Sequence, residues 1–236
     1  MSKRKSRTSA DWFYPHWYWT LECLQEHRRL KAPGAKRKLR LLNVAACQSV
    51  WRLFTIADCR RAIELGERAA EGKASRAEAD QFLGRANAQL RSTHSPAQRR
   101  NQWNAAAFTA SLRAGVEAVI IVMGAVADMR CREWGVVDLT RFNKLREEAE
   151  CDLAEIFREI FPNPFQPIAI DPRWLTSNVV DLSSAIYAER AFHLMPILAD
   201  ALMDAGCDSE EVIHHCRGDG PHVRGCWVVD LLTGRS

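Results

Sequence analysis

In Leu39-Arg-Leu-Leu-Asn-Val-Ala-Ala-Cys-Gln-Ser-Val-Trp-Arg-Leu-Phe54, the apolar residues Leu41, Leu42, Ala45, Ala46, Val50, Leu53 and Phe54 recur at steps of three and four. That period puts them on one face of an α-helix; a half-buried strand would alternate every second residue. Asp58 to Glu71 repeats the pattern through Ala62, Ile63, Leu65 and Ala69 and stops at Gly72. Ser75 is placed to cap a helix over about 76–90. Ser95 and Pro96 then open a long Ala-rich helix over about 97–131, with Gly115 and Gly124 as points of interruption. Leu139 to Ile160 reads as a further helix, its wet face carrying Arg146, Glu147, Glu148 and Glu150. Toward the N-terminus, segment 17–30 has helical spacing, and Lys31 to Lys38 reads as a loop around Pro33-Gly34.

Phe161-Pro-Asn-Pro-Phe-Gln-Pro167 cannot continue a helix and predicts an extended, semi-rigid connection. Beyond it, Asp171 to Trp174 reads as a turn and Thr176 or Ser177 as the cap of a helix to Ala188. Pro196 opens the next helix, which closes at Gly206. Asp208 with Glu211 forms a capping-box pattern for another, ending near Arg217 to Pro221. The only plausible strands are Ile168–Ile170 and Trp227–Leu231. The expected fold is all-α: a multi-helix bundle or irregular helical array with a compact C-terminal helical module. Its expected divisions are a disordered basic tail over 1–10, a helical body over 11–160 and the module over 161–236.

The net charge of +4 is unevenly spread. Residues 1–45 hold eleven Lys and Arg against three acids, a balance of +8, so the remaining 191 residues sum to −4. Lys3, Arg4, Lys5 and Arg7 precede an aromatic cluster of Trp12, Phe13, Tyr14, Trp17, Tyr18 and Trp19, and Lys36, Arg37, Lys38 and Arg40 follow it. Cations with interleaved rings are the means by which proteins hold single-stranded nucleic acid. The plainer reading is a solubilising basic tail, with Trp12, Trp17 and Trp19 as core anchors. No apolar run follows the basic start and none reaches the length of a membrane span, so a cytoplasmic chain with reduced thiols is expected. The eight cysteines include no Cys-x-x-Cys, which removes the usual redox dithiol and zinc-ribbon spacings.

The C-terminal third resembles a family of uncharacterised bacterial proteins with many paralogues per genome. The words that carry the resemblance are Asn163-Pro-Phe-Gln-Pro167, Asp171-Pro-Arg-Trp-Leu175, Ala185-Ile-Tyr-Ala-Glu-Arg-Ala-Phe192 and Met195-Pro-Ile-Leu-Ala-Asp-Ala-Leu202. They continue through Ala205-Gly-Cys207, His215-Cys-Arg-Gly218 and Pro221-His-Val-Arg-Gly-Cys-Trp-Val-Val-Asp230. Looser likeness extends to Lys38-Leu-Arg-Leu41, Cys59-Arg-Arg-Ala-Ile63 and the Ala-rich 103–130. The family pattern has Pro where this chain has Asp219. The resemblance implies no activity.

Met203 to Asp230 crowds three cysteines, three histidines, four glycines and a tryptophan into one segment. Cys207, His215 (or His214), Cys216, His222 and Cys226 are residue types that suit zinc. His215 and Cys216 are adjacent, so one of the two has to point away. Without a metal, the cysteines are small buried groups and His222 caps a turn. A second reading makes Cys226 or Cys216 a nucleophile with His222 or His215 as base. A third has Arg217 to Arg224 cradling phosphate, against a structural turn in which Arg217 and Arg224 pair with Asp219 or Asp230. Glu147, Glu148, Glu150 and Asp152 read as a solvated face, as do Asp200 and Asp204.

The expectation is a non-enzymatic helical accessory or adaptor protein. Its partner is another protein subunit, with nucleic-acid contact through the basic N-terminal region as an addition and no membrane contact. No cofactor is expected apart from zinc under the alternative, a metal-binding or Cys/His-dependent enzyme centred on His215 to Trp227. A component of a bacterial defence or toxin system is the remaining alternative.

Overall fold

The computed structural model describes residues 7–93, 102–107, 109, 115–133 and 139–235. Among them the chain is all-α, with no strand. The helices are α1 (Ser9–Trp12), α2 (Trp17–Glu26), α3 (Ala35–Gln48), α4 (Ala57–Ala70), α5 (Arg76–Thr93), α6 (102–107) and α7 (Val116–Glu133). They continue with α8 (Leu139–Ile160), α9 (Ser177–Glu189), α10 (Met195–Asp204), α11 (Glu210–Arg217) and α12 (Trp227–Leu232). No described helix is long and apolar enough to cross a membrane.

The chain divides into two compact units. One spans Pro15–Tyr18 and Ala35–Ala154 and is organised around α3, which packs on α4 and α7. Leu39, Leu41, Leu42, Val44, Ala45, Ala46 and Cys47 are all buried, so α3 is enclosed on more than one side. Asn43 is enclosed with them, and neither its amide nitrogen nor its oxygen has a partner. An unpaired buried amide costs about 1–3 kcal/mol. Asn43→Leu, close in shape, should therefore raise stability by about 1–2 kcal/mol, read from urea unfolding. Ser75 accepts from the Glu78 N–H at 3.1 Å and caps α5 as the sequence predicts. Of the long Ala-rich helix, 102–107 and α7 are helical, with Gly115 at a bend just before α7; the expected Ser95–Pro96 start lies outside the described residues. Gly124 sits inside α7 without breaking it.

The other unit joins the two ends of the chain: residues 7–14, 19–34 and 155–235. Of residues 7–10, placed with the basic tail from sequence, Ser9 and Ala10 belong to α1. Thr8 and Asp11 form a capping box that starts α1, and the Arg7 N–H donates to the Glu26 carboxylate at 2.8 Å. Arg158 of α8 donates to the Trp12 carbonyl at 3.2 Å, and Trp12 is buried. The proline-rich 161–167 lies inside this unit and is a folded turn, unlike the extended spacer its prolines predict. The Asn163 side chain accepts from the Phe165 N–H at 3.0 Å, and Phe161, Asn163 and Pro164 are buried.

The C-terminal helices follow their caps. Thr176 accepts from Val179 and opens α9; Pro196 sits in the first turn of α10. Gly206 at φ +80° ends α10 in the left-handed region, where a side chain is disfavoured. Ser209, one residue after the expected Asp208, caps α11 by accepting from Val212. Of the two segments that could have been strands, Trp227–Leu232 is a helix and Ile168–Ile170 belongs to no element, in keeping with the all-α expectation. A short helix buries Trp227, Val228, Val229 and Leu232 together, and among the described residues no strand is present to pair with either segment. Met195, Leu198, Leu202, Val212, Cys216 and Ile186 complete that core.

Candidate functional site

Four side chains converge inside the second unit. Glu159 comes from the last turn of α8, His215 from α11, His222 from the loop between α11 and α12, and Cys226 from the position that caps α12. Their donor atoms all lie within 4.8 Å of one another. His222 Nδ1 is 3.1 Å and His215 Nε2 3.2 Å from the same carboxylate oxygen, Glu159 Oε2. His215 Nε2 is also 3.2 Å from Cys226 Sγ. The second oxygen, Oε1, accepts from the Val223 N–H at 3.3 Å. The Glu159 side chain is 2% exposed.

The donors fix the proton positions. The indole Nε1–H of Trp227 can only donate, and it faces His215 Nδ1 at 3.1 Å. His215 is therefore neutral with its proton on Nε2, shared between Glu159 and Cys226. His222 Nε2 faces the Gly218 carbonyl at 3.2 Å, an acceptor, while Nδ1 faces the carboxylate. Both nitrogens of His222 donate, so the ring is an imidazolium paired with buried Glu159. Burial pushes the Glu159 carboxyl up, but hydrogen bonds from His215 and His222 and the nearby positive charge outweigh it and hold the group at about 2. Burial disfavours the His222 cation, yet the Glu159 carboxylate and the Gly218 carbonyl raise its pKa above the ordinary value.

A pH dependence follows for chelator-treated protein. The depressed carboxyl contributes stability above its unfolded value of 4.5, lost as pH falls toward about 2. The raised imidazole contributes stability below its unfolded value of 6.5, lost as pH rises through the folded value. The contribution of the pair should be largest between those two unfolded values and fall on both sides. Melting temperatures of wild type and His222→Leu across pH check this: their difference should shrink at each extreme.

Of the five residues named from sequence as metal ligands, the fold brings His215, His222 and Cys226 together. Cys207 and Cys216 lie in the apolar core, where burial raises both thiols, Cys216 to about 12. Helical geometry sends adjacent His215 and Cys216 in different directions, as their sequence adjacency requires. Glu159 was not among the expected residues. Its one signal is an acid amid Ile156, Phe157, Ile160 and Phe161 at the buried end of α8.

Cys226 is 1% exposed, and burial, then the Glu159 carboxylate, raise its thiol well above the ordinary value. That environment opposes a thiolate. Arg217 and Arg224 do not converge on a phosphate-sized space: Arg217 donates to Asp200 at 2.8 Å and Arg224 to the Tyr187 carbonyl at 3.2 Å.

The basic residues fall in different units. Lys3, Arg4 and Lys5 lie outside the described residues. Arg7 pairs with Glu22 and lies 3.6 Å over the Trp19 ring. On α3, Arg37 reaches Glu71 at 3.4 Å, Arg40 has its pKa lowered by burial, Lys38 is half-buried and Lys36 is exposed. Trp12 and Trp17 are buried anchors and Trp19 is half-buried.

Comparison with family models, with curated proteins and with solved structures finds no match. The resemblance of the C-terminal third to a bacterial family rests on its sequence words alone.

Proposed function

We propose that this chain is a non-enzymatic helical accessory protein of the cytoplasm that works by docking to another protein subunit. The observation that carries the reading is the inward orientation of its Cys/His-rich segment. Cys216 and Cys226 are buried and protonated, and His215 and His222 spend their nitrogens on Glu159, Trp227 and Gly218. A thiol nucleophile needs an accessible thiolate beside a base free to take its proton, and this arrangement offers neither. Alkylation of the folded protein at neutral pH tests it. Cys216 and Cys226 should react orders of magnitude more slowly than in denaturant, because reaction awaits opening of the fold. Reaction at Cys226 faster than a free thiol, with stoichiometric labelling, would overturn the reading.

Nucleic-acid contact through Lys3, Arg4, Lys5, Arg7, Lys36, Arg37, Lys38 and Arg40 is a second reading. It is favoured by the +8 balance of residues 1–45. The internal pairing of Arg7 and Arg37 reduces the charge on offer. Binding of single-stranded oligonucleotide that weakens steeply with salt supports it; a flat response removes it.

A further inference from the structure

We propose that Glu159, His215, His222 and Cys226 form a structural site for one divalent transition ion, with zinc the ion whose preferences the donors match. The inference goes beyond the accessory-protein reading and stands apart from it.

The donor set is the first argument. One thiol, two imidazoles and one carboxylate form a borderline-soft set that suits zinc or cobalt(II), whereas calcium and magnesium take oxygen ligands. Spacing is the second. Tetrahedral zinc, at about 2.0 Å from nitrogen or oxygen and about 2.3 Å from sulfur, sets its ligands roughly 3.3–3.6 Å apart. The Glu159–His222, Glu159–His215 and His215–Cys226 pairs stand at 3.1, 3.2 and 3.2 Å. Those three pairs would open by a few tenths of an ångström around an ion, and the remaining pairs, which lie within 4.8 Å, would close toward the same spacing.

The surroundings supply outer contacts of the kind that orient metal ligands. Gly218 O holds His222 Nε2–H, which leaves Nδ1 to ligate, and the Val223 N–H holds Oε1, which leaves Oε2. A cavity of about 230 Å³, lined in part by Glu155, Arg158, His214 and Pro221, adjoins Glu159, His215 and His222 and gives an ion a way in. Four protein donors complete a tetrahedron and leave no position for substrate, the hallmark of structural sites. The ion would tie the end of α8 to α11, its following loop and α12.

Charge balances. Loading one ion releases two protons, one from the His222 imidazolium and one from the Cys226 thiol, while the His215 proton moves from Nε2 to Nδ1. That move sets Nδ1–H against the Trp227 indole N–H, so the indole has to leave its present contact. Trp227 therefore reports on loading.

The test uses the full chain stripped with chelator and titrated with cobalt(II) alone, then zinc alone. One ion should bind per chain, with intense tetrahedral cobalt bands, a thiolate-to-cobalt charge-transfer band, and an emission change that Trp227→Phe removes. Zinc should displace cobalt. Cys226→Ser should abolish the charge-transfer band, and Glu159→Gln, which keeps the shape, should weaken binding by more than about tenfold, the loss that outer contacts alone produce. Cys207→Ser and Cys216→Ser should leave band and stoichiometry intact. Circular dichroism shows which variants fold, and folded Glu159→Gln carries the test if Cys226→Ser does not fold. Absence of binding by folded wild type, wild-type affinity in Glu159→Gln, or loss of the band only in Cys207→Ser or Cys216→Ser would overturn the proposal.

Discussion

Glu159→Ala should lower the stability of the chelator-treated protein by about 3–5 kcal/mol, the cost of breaking a buried charge pair from one side. Three donors converge on this carboxylate: His215, His222 and the Val223 main chain. Truncation leaves each of them facing an apolar void. The His222 ring can shed its proton, which limits the loss, but its Nδ1 and the Val223 N–H still lack partners. Glu159→Gln keeps an acceptor in place and should recover part of the loss. Urea unfolding gives both numbers, and against an ordinary total of 5–15 kcal/mol the alanine variant should be visibly marginal. Replacing Glu159 and His222 together by Leu should cost less than Glu159→Ala alone, because an apolar pair leaves no orphaned charge.

Gly66→Ala should destabilise the protein by about 2–3 kcal/mol, the scale of an overpacked core. Helix propensity argues the other way, since Ala is favoured over Gly inside a helix by roughly 1 kcal/mol. Space decides. A methyl carbon at position 66 would stand 2.5 Å from the Thr109 carbonyl oxygen and 2.9 Å from its Cγ2. Main chain cannot rotate aside as a flexible side-chain tip can. Thr109 is also held, its hydroxyl donating to the Ala105 carbonyl at 2.7 Å and lying 3.4 Å from Cys47 Sγ. Gly84→Ala in α5 is the control. Nothing lies within 4 Å of its added carbon, so it should gain the propensity term of about 0.5–1 kcal/mol. Opposite signs at two helical glycines would show that close approach of α4 to Thr109 is a real contact.

The helices were legible because their signals are local. The period of Leu41, Leu42, Ala45 and Ala46 marks α3, and Ser75, Thr176 and Gly206 mark ends that a few neighbouring residues determine. Trp227–Leu231 stays open in the sequence because a short apolar run suits a strand or a helix equally, and it forms the helix α12. The proline-rich 161–167 misled because its fold depends on the Asn163 side chain bonding to main chain two residues on. Neither effect has a period.

The cluster was half legible. His215, His222 and Cys226 announce themselves by residue type within twelve positions. Glu159 stands far upstream on another helix, and its neighbours Glu147, Glu148 and Glu150 make an acid on α8 look ordinary. What distinguishes it is burial among Ile156, Phe157 and Ile160, a property of the stripe on which it falls. The joining of residues 7–14 and 19–34 with 155–235 was likewise beyond sequence reading, since contacts such as Arg158 to the Trp12 carbonyl span most of the chain.

A double-mutant cycle between Glu159 and His222, measured on chelator-treated protein near pH 6, reads the central contact most directly. These residues stand 63 positions apart and can couple only if the fold brings them together. A coupling of about 2 kcal/mol or more between Glu159→Leu and His222→Leu is the result this structure requires. Strictly additive losses would mean that the carboxylate and the imidazole do not meet, and the buried cluster would have to be abandoned.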